Sequence, residues 1–326
     1  GPTQTHDLVD DSPAVDLAPG ADCVADPTGG GDQRGRARPF SVAGQGNETT
    51  DTCDAGAVEC RPAVGVFVSA VAAGTTGDGL AFGPHDILMW NGSAWARWFD
   101  GTAAGLVPGG IAKHHINAFW IPDPEQPDAV ISFTQNGRRV PGISSRVDGM
   151  DLVEWDGSAF SLWFDGQDVG LTVLTQEKID ALHVLDGSEA PPALAAASGG
   201  SCLSYLLVST QGPGRTTAYD GSLLKFGGED VLGFCLTQAG ETTQGKWTMV
   251  LDGSAEGMPR GSTEGLSVSA DGQTPHVTTR GTFIVDAAVG GHSMVYAYDL
   301  GTGQFSGPVF SAPAEGLPRK VTGLQY

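Results

Sequence analysis

His114 and His115 stand side by side, His183 lies inside an alternating apolar run, and His85 and His292 precede two copies of a repeated strand. Imidazoles are the side chains best suited to moving protons near neutral pH or to ligating a transition metal. Their spacing argues against both roles. No H-E-x-x-H or H-x-H pattern is present to hold a catalytic zinc, and histidines that recur at matching repeat positions are expected to be scaffold turns. Serine hydrolysis has no G-x-S-x-G elbow to work from, because GGSCL (199–203) is only a glycine-rich loop beside Cys202. Phosphate-cradling glycine motifs are also missing. What is left for catalysis is a carboxylate pair acting on glycosidic bonds, which 38 acidic residues could supply.

Recurrence sorts the remaining candidates. Asp100, Asp165 and Asp252 fall in repeated FDG or LDG turns. A catalytic group need occur only once, so these are expected to cap Asx turns. Trp90, Trp98, Trp155 and Trp163 recur at matching positions and are expected to pack between repeats. Trp120 and Trp247 are less regular, and with His114 and His115 they are the candidates for ligand contact.

The element that must position these residues is itself a repeat. WNGSAWARWFDGTAAGL (90–106) and WDGSAFSLWFDGQDVGL (155–171) are near copies, and weaker copies follow. Each copy ends on a Gly-hydrophobic marker: Gly105-Leu106, Gly170-Leu171, Gly257-Met258 and Gly316-Leu317, at spacings of 65, 87 and 59 residues. The longest spacing implies insertions in the third copy. Short strands follow each marker at 116–121, 179–184, 264–269 and 321–326. Second strands are expected at 66–70, 130–134, 206–210 and 276–280. Third strands are expected at 84–90, 149–155, 228–234 and 292–298, and fourth strands at 95–101, 160–166, 247–253 and 305–311. Four antiparallel strands repeated four times are the pattern of an all-β, four-bladed β-propeller. Solenoid repeats are shorter and reverse less often. The first copy lacks an inner strand and the chain ends on an orphan one, so Thr322–Tyr326 is expected to close the ring beside Gly65–Ala70.

A four-bladed ring has a crowded axis, and Ala118, Ala181, Gly265 and Gly323 occupy one equivalent position on the inner strands. Just before them lie Asn117, Asp180, Glu264 and Thr322. Oxygens converging from four strands are the donor set for a hard cation such as Ca²⁺, or for water.

Residues 1–60 lack the blade pattern, and the chain opens on Gly1-Pro2, as expected of a piece cut from a longer protein. The five cysteines form no C-x-x-C pair, and disulfides in an oxidising compartment are the simpler reading. Cys23 is expected to pair with Cys53 and Cys202 with Cys235, leaving Cys60 free or linked to another chain. DSPAVDLA (11–18), DQRGRARP (32–39) and CDAGAVE (53–59) together resemble the closing segment of right-handed parallel β-helix surface proteins of bacteria. That resemblance supports the Cys23–Cys53 bridge. A closing β-helix segment without its preceding coils would expose strand edges. Either those coils were removed, or residues 1–60 are expected to dock on the propeller or on a neighbour, the last giving self-assembly by strand addition. The repeat over 65–326 is similar to one found in secreted bacterial proteins of unassigned role. Both resemblances imply an extracellular or cell-surface location. The domain reading is an irregular β-helix-like segment at 1–60 and the propeller at 61–326.

A net charge of −21 disfavours nucleic acid or an anionic membrane face as partner, and no run of 18 apolar residues spans a bilayer. The function expected from these features is a non-enzymatic surface module: a scaffold, adhesin or assembly subunit touching protein or glycan. The alternative is a polysaccharide-acting hydrolase or lyase with carboxylates at the channel mouth.

Overall fold

Stretches that alternate apolar and polar residues after Gly65 form short strands, and glycine-bearing turns reverse the chain between them. The computed structural model describes residues 18–19, 52–53, 65–107, 113–173, 176–186, 202–261, 263–269, 274–285, 288–299, 302–318 and 320–325. The chain divides into two units between Val64 and Gly65.

In the second unit four four-stranded antiparallel sheets follow one another. From axis to rim the first blade is Val321–Gln325, Val66–Ala70, Ile87–Trp90 and Trp95–Phe99. The second is Ile116–Trp120, Asp128–Phe133, Leu152–Asp156 and Phe160–Phe164. The third is Ile179–Asp186, Ser204–Thr210, Val231–Gln238 and Gln244–Leu251. The fourth is Thr263–Val268, Pro275–Thr279, Met294–Asp299 and Gln304–Ser311. Each inner strand packs on the next, and the fourth returns to the first. This is the four-bladed propeller expected from the repeat. Closure also follows the expected register, with Gly323 opposite Ser69, Leu324 opposite Val68 and Gln325 opposite Phe67. The C-terminal strand thereby covers what would be an open sheet edge.

Two details explain the repeat signals. The Gly-hydrophobic marker ends a single helical turn after each outer strand. Gly105, Gly170, Gly257 and Gly316 all take positive φ (77° to 93°), and the next residue donates its N–H five residues back, as in Leu106 N to Gly101 O at 2.7 Å. Leu106, Leu171, Met258 and Leu317 are thereby driven into the core. Each blade also holds one tilted aromatic pair between its third and fourth strands. These are Trp90–Trp95, Trp155–Phe160, Phe234–Trp247 and Tyr298–Phe305, with centroids 5.3, 4.6, 4.5 and 4.6 Å apart. Between blades, Trp155 meets Phe99 edge-on at 6.0 Å.

Small two-stranded ribbons extend the second-to-third connections of three blades: Gly74–Thr75 with Ala81–Phe82, Gly214–Thr217 with Leu223–Phe226, and Phe283–Val285 with Ala288–Gly290. Against 121–127 in the second blade, residues 187–203 separate Ile179–Asp186 from Ser204–Thr210, so the third copy is lengthened chiefly between its first and second strands. A Cys202–Cys235 disulfide, spanning 33 residues of sequence, ties the entry of that blade's second strand to its third. In the first unit Ala18–Pro19 pairs antiparallel with Thr52–Cys53. The β-helix-like reading of 1–60, the Cys23–Cys53 bridge and the role of Cys60 otherwise lie outside the described residues.

The axis is tight. Each inner strand carries a bulge after its first residue, and Ala118, Ala181, Gly265 and Gly323 then face Ser132, Ser209, Thr278 and Ser69. A Cβ on Gly265 would lie 2.6 Å from the Cβ of Leu324 and 3.0 Å from its backbone nitrogen. Gly265→Val is therefore expected to cost about 1–3 kcal/mol by overpacking. Gly291→Ala, where nothing lies within 4 Å, should change stability by less than about 0.5 kcal/mol. Equal denaturant midpoints for the two variants would contradict a steric limit at the axis.

Candidate functional site

The side chains with chemical potential gather at three places: the turn before each third strand, the axis, and the face where the inner strands begin.

At the first place sits a carboxylate that sequence reading passed over. Asp86 accepts N–H groups from Gly83 (2.8 Å) and Gly101 (3.0 Å). Asp151 accepts from Asp148 (2.7 Å) and Gly166 (3.0 Å), and Asp230 from Gly227 (2.7 Å) and Gly253 (2.9 Å). All three are buried. Each clamps its own turn to the glycine of the FDG or LDG motif. That glycine admits no side chain, since a Cβ there would strike the carbonyl oxygen of His85, Met150 or Glu229. In the fourth blade Ser293 and Ala312 replace the pair, and the Ala312 N–H goes to the Ser293 carbonyl at 3.1 Å. The same turns hold the next blade. Ile116, Ile179 and Thr263 donate their N–H groups to the carbonyls of Pro84, Gly149 and Gly228 at 2.9, 2.9 and 2.7 Å, and Val321 donates to Ser293 Oγ at 3.0 Å. Burial pushes Asp151 up to about 7 despite its two N–H donors, and raises Asp230 as well. The motif aspartates next door cap turns as expected, Asp100 and Asp252 accepting from Ala103 and Ala255 at 3.0 Å and Asp165 from Gln167 at 2.9 Å.

At the axis Asn117, Asp180, Glu264 and Thr322 are the bulge residues, all buried. Two of them join blades directly. Asn117 Nδ2 donates to Ile179 O at 2.7 Å, and Thr322 Oγ1 donates to Ile116 O at 3.0 Å. Ser69, opposite, lies 3.0 Å from the Thr322 hydroxyl. Glu264 Oε1 accepts from Arg280 Nε at 2.8 Å. Among the described residues, no group of three or more His, Cys, Asp or Glu side chains comes together around a metal-sized site. A cation at the axis would draw on the carboxylates of Asp180 and Glu264.

Two expected contact residues need correction. Trp247 is only 1% exposed. It is the fourth-strand member of its blade's aromatic pair, and its Nε1 donates to Val169 O of the second blade's outer turn at 2.9 Å. Trp95 does the same toward Glu315 O at 2.6 Å. His114 is buried, with both ring nitrogens engaged: Nδ1 accepts from Val107 N at 3.0 Å, and Nε2 donates to Arg139 O at 2.9 Å. Burial lowers its pKa. Trp120 and His115 are half-buried. His85 is buried beside Thr102, Nε2 to Oγ1 at 2.7 Å. His183 is pushed down to about 4 by burial, with His276 adding to the shift.

The third place is a face. Strands alternate in direction, so the second-to-third and fourth-to-first connections emerge together on one side of the ring. Six exposed large apolar residues lie in those connections: Val71, Val107, Val173, Tyr219, Leu223 and Ile284. Among the described residues of the propeller, every Lys and Arg except Arg97 and Lys246 lies there too. Among the described residues, the opposite connections carry acids such as Asp123, Glu125 and Glu241 and no basic residue.

No family model matches this sequence, and no curated protein matches it. Among solved structures it is similar to a structural-genomics protein of unknown function from Bacteroides thetaiotaomicron. That match has 11% identity and a TM-score of 0.33, and covers 85% of this chain and 74% of the other. A second similarity is to the β-propeller domain of Cps50 (Swd1) from Myceliophteria thermophila, at 10% identity and a TM-score of 0.26, covering 74% and 86%.

Asp151→Ala would strand two buried N–H donors, an expected loss of about 2–4 kcal/mol near pH 5. Between its ordinary value of 3.8 and about 7, the folded state keeps a proton that the unfolded chain releases. Wild-type stability from this group therefore falls as pH rises through that window. The gap between wild type and Asp151→Ala should narrow from pH 4 to pH 7 in denaturant titrations, and a constant gap would contradict the assignment.

Proposed function

We propose that the propeller is a non-enzymatic binding module, presented at an extracellular or bacterial cell surface for contact with protein or glycan. The observation that carries this reading is the face bearing Val71, Val107, Val173, Tyr219, Leu223 and Ile284, exposed beside most of the chain's cations. Exposed aliphatic and aromatic side chains spread over one side of the ring offer points of contact to a partner. The recurrent polar side chains support the same reading from the other direction. Asp86, Asp151 and Asp230 hold turns, while Asn117 and Thr322 join blades. The Cys202–Cys235 disulfide supports an oxidising compartment.

The test is an array of bacterial and host glycans and extracellular proteins, probed with the wild type and with a Leu223→Asp/Ile284→Asp variant. Bound partners should be retained unchanged in mass and lost by the variant at an unaltered melting temperature. Cleavage of an arrayed polysaccharide, or undiminished capture by the variant, would contradict the reading.

A further inference from the structure

A cleft of about 180 Å³ opens on the same face, between the turn entering the fourth blade and the residues that follow that blade's second strand. Its wall includes Met258, Arg260, Thr263, Thr279, Arg280 and Thr282, and contains two guanidinium groups and no carboxylate. Such a wall runs against the character of a chain with net charge −21.

Three other arginines of the propeller are engaged locally. Arg97 pairs with Asp100 at 2.8 Å and Asp86 at 3.4 Å. Arg138 and Arg146 donate to the backbone carbonyls of Asn136 and Gly137. Arg280 is different: it is held from behind. Its Nε donates to Glu264 Oε1 at 2.8 Å, and Glu264 is buried while the Arg280 side chain is 47% exposed. Lys320 Nζ also donates to the Arg280 carbonyl at 3.0 Å, fixing the backbone at that point. Engaging Arg280 through Nε leaves its two Nη groups for another partner, and Arg260 is exposed across the cleft wall. Guanidinium groups with their forks available match a planar pair of oxygens better than a point charge would. Thr263 and Thr279, paired across the ladder, line the cleft with their hydroxyls turned to Glu229 O and Gly281 O at 3.5 Å, and Met258 adds an apolar side chain.

We propose that this cleft binds a small carboxylate-bearing ligand, with Arg280, oriented by Glu264, and Arg260 gripping the carboxylate. The cleft's size suits one sugar- or amino-acid-sized unit, so an acidic sugar within a glycan fits the chemistry. This rests on the reading of the propeller as a binding module and names the ligand class of one part of its face.

The purified full chain is titrated at low salt with galacturonate, galactose and inorganic phosphate, using calorimetry and amide chemical shifts. Galacturonate should bind with shifts at Gly261, Thr263 and Gly281, and galactose should not. Arg260→Gln should weaken galacturonate binding at least tenfold without altering the melting temperature. Arg280→Lys, which keeps the charge and removes the fork, should weaken it similarly. Equal response to galactose, undiminished binding by Arg260→Gln, or stronger binding of phosphate than of galacturonate would overturn the assignment. A Leu223→Asp variant, changed on the third-blade ribbon and outside the cleft wall, should bind galacturonate as wild type does, so failure of the cleft and failure of the contact face are told apart.

Discussion

The structure depends on a buried carboxylate at the start of the third strand. A carboxyl group taken into the core is costly unless its oxygens find donors, and burial still raises Asp151 and Asp230 above the usual carboxylate range. Here each one finds two backbone N–H groups, one from its own turn and one from the glycine after the outer strand. That single contact fixes three things: the entry of the third strand, the exit of the fourth, and the carbonyl on which the next blade hangs. The ring is thus a chain of local clamps, each passing its geometry to the following blade. The fourth blade reaches the same end with a serine, whose hydroxyl accepts the N–H of the C-terminal strand. The clamp that closes the ring therefore differs in chemistry from the three that build it.

Much of the fold was legible because it is periodic. Sixteen strands were placed by phase, and the orphan strand at the C-terminus pointed to its partner at Val66–Ala70. Side-chain roles were less legible. Trp247 looked irregular because the third blade places Phe on its third strand and Trp on its fourth, where the second blade has Trp155 and Phe160. The pair is kept in kind while its members change places. Yet Trp247 aligns with Trp95 and Phe160 at the start of the fourth strand, and that register was the signal for burial. Asp86, Asp151 and Asp230 were visible as letters before each third strand. Burial is a tertiary property, so they could not be told from surface turn residues beside them. His114 likewise owes its burial to Val107 and Arg139, neither of which is its strand neighbour.

The division of labour between faces follows from the same geometry. The clamps and helical turns occupy one side of the ring, where the chain makes its longest excursions, and the ribbons there lift apolar side chains off the core. The opposite side has mainly short hairpins and acidic loops. The ribbon-bearing face can vary its contacts without altering the ring that supports it.

The most direct measurement is native-state hydrogen exchange at the first amide of each inner strand. In a variant lacking the Asp151 carboxylate, the Ile179 N–H, which hangs on Gly149 O, should lose protection selectively. Ile116 and Thr263, held through Asp86 and Asp230, should keep more of theirs. Protection at Ile179 equal to that of the wild type would show that the blades are joined without the clamp.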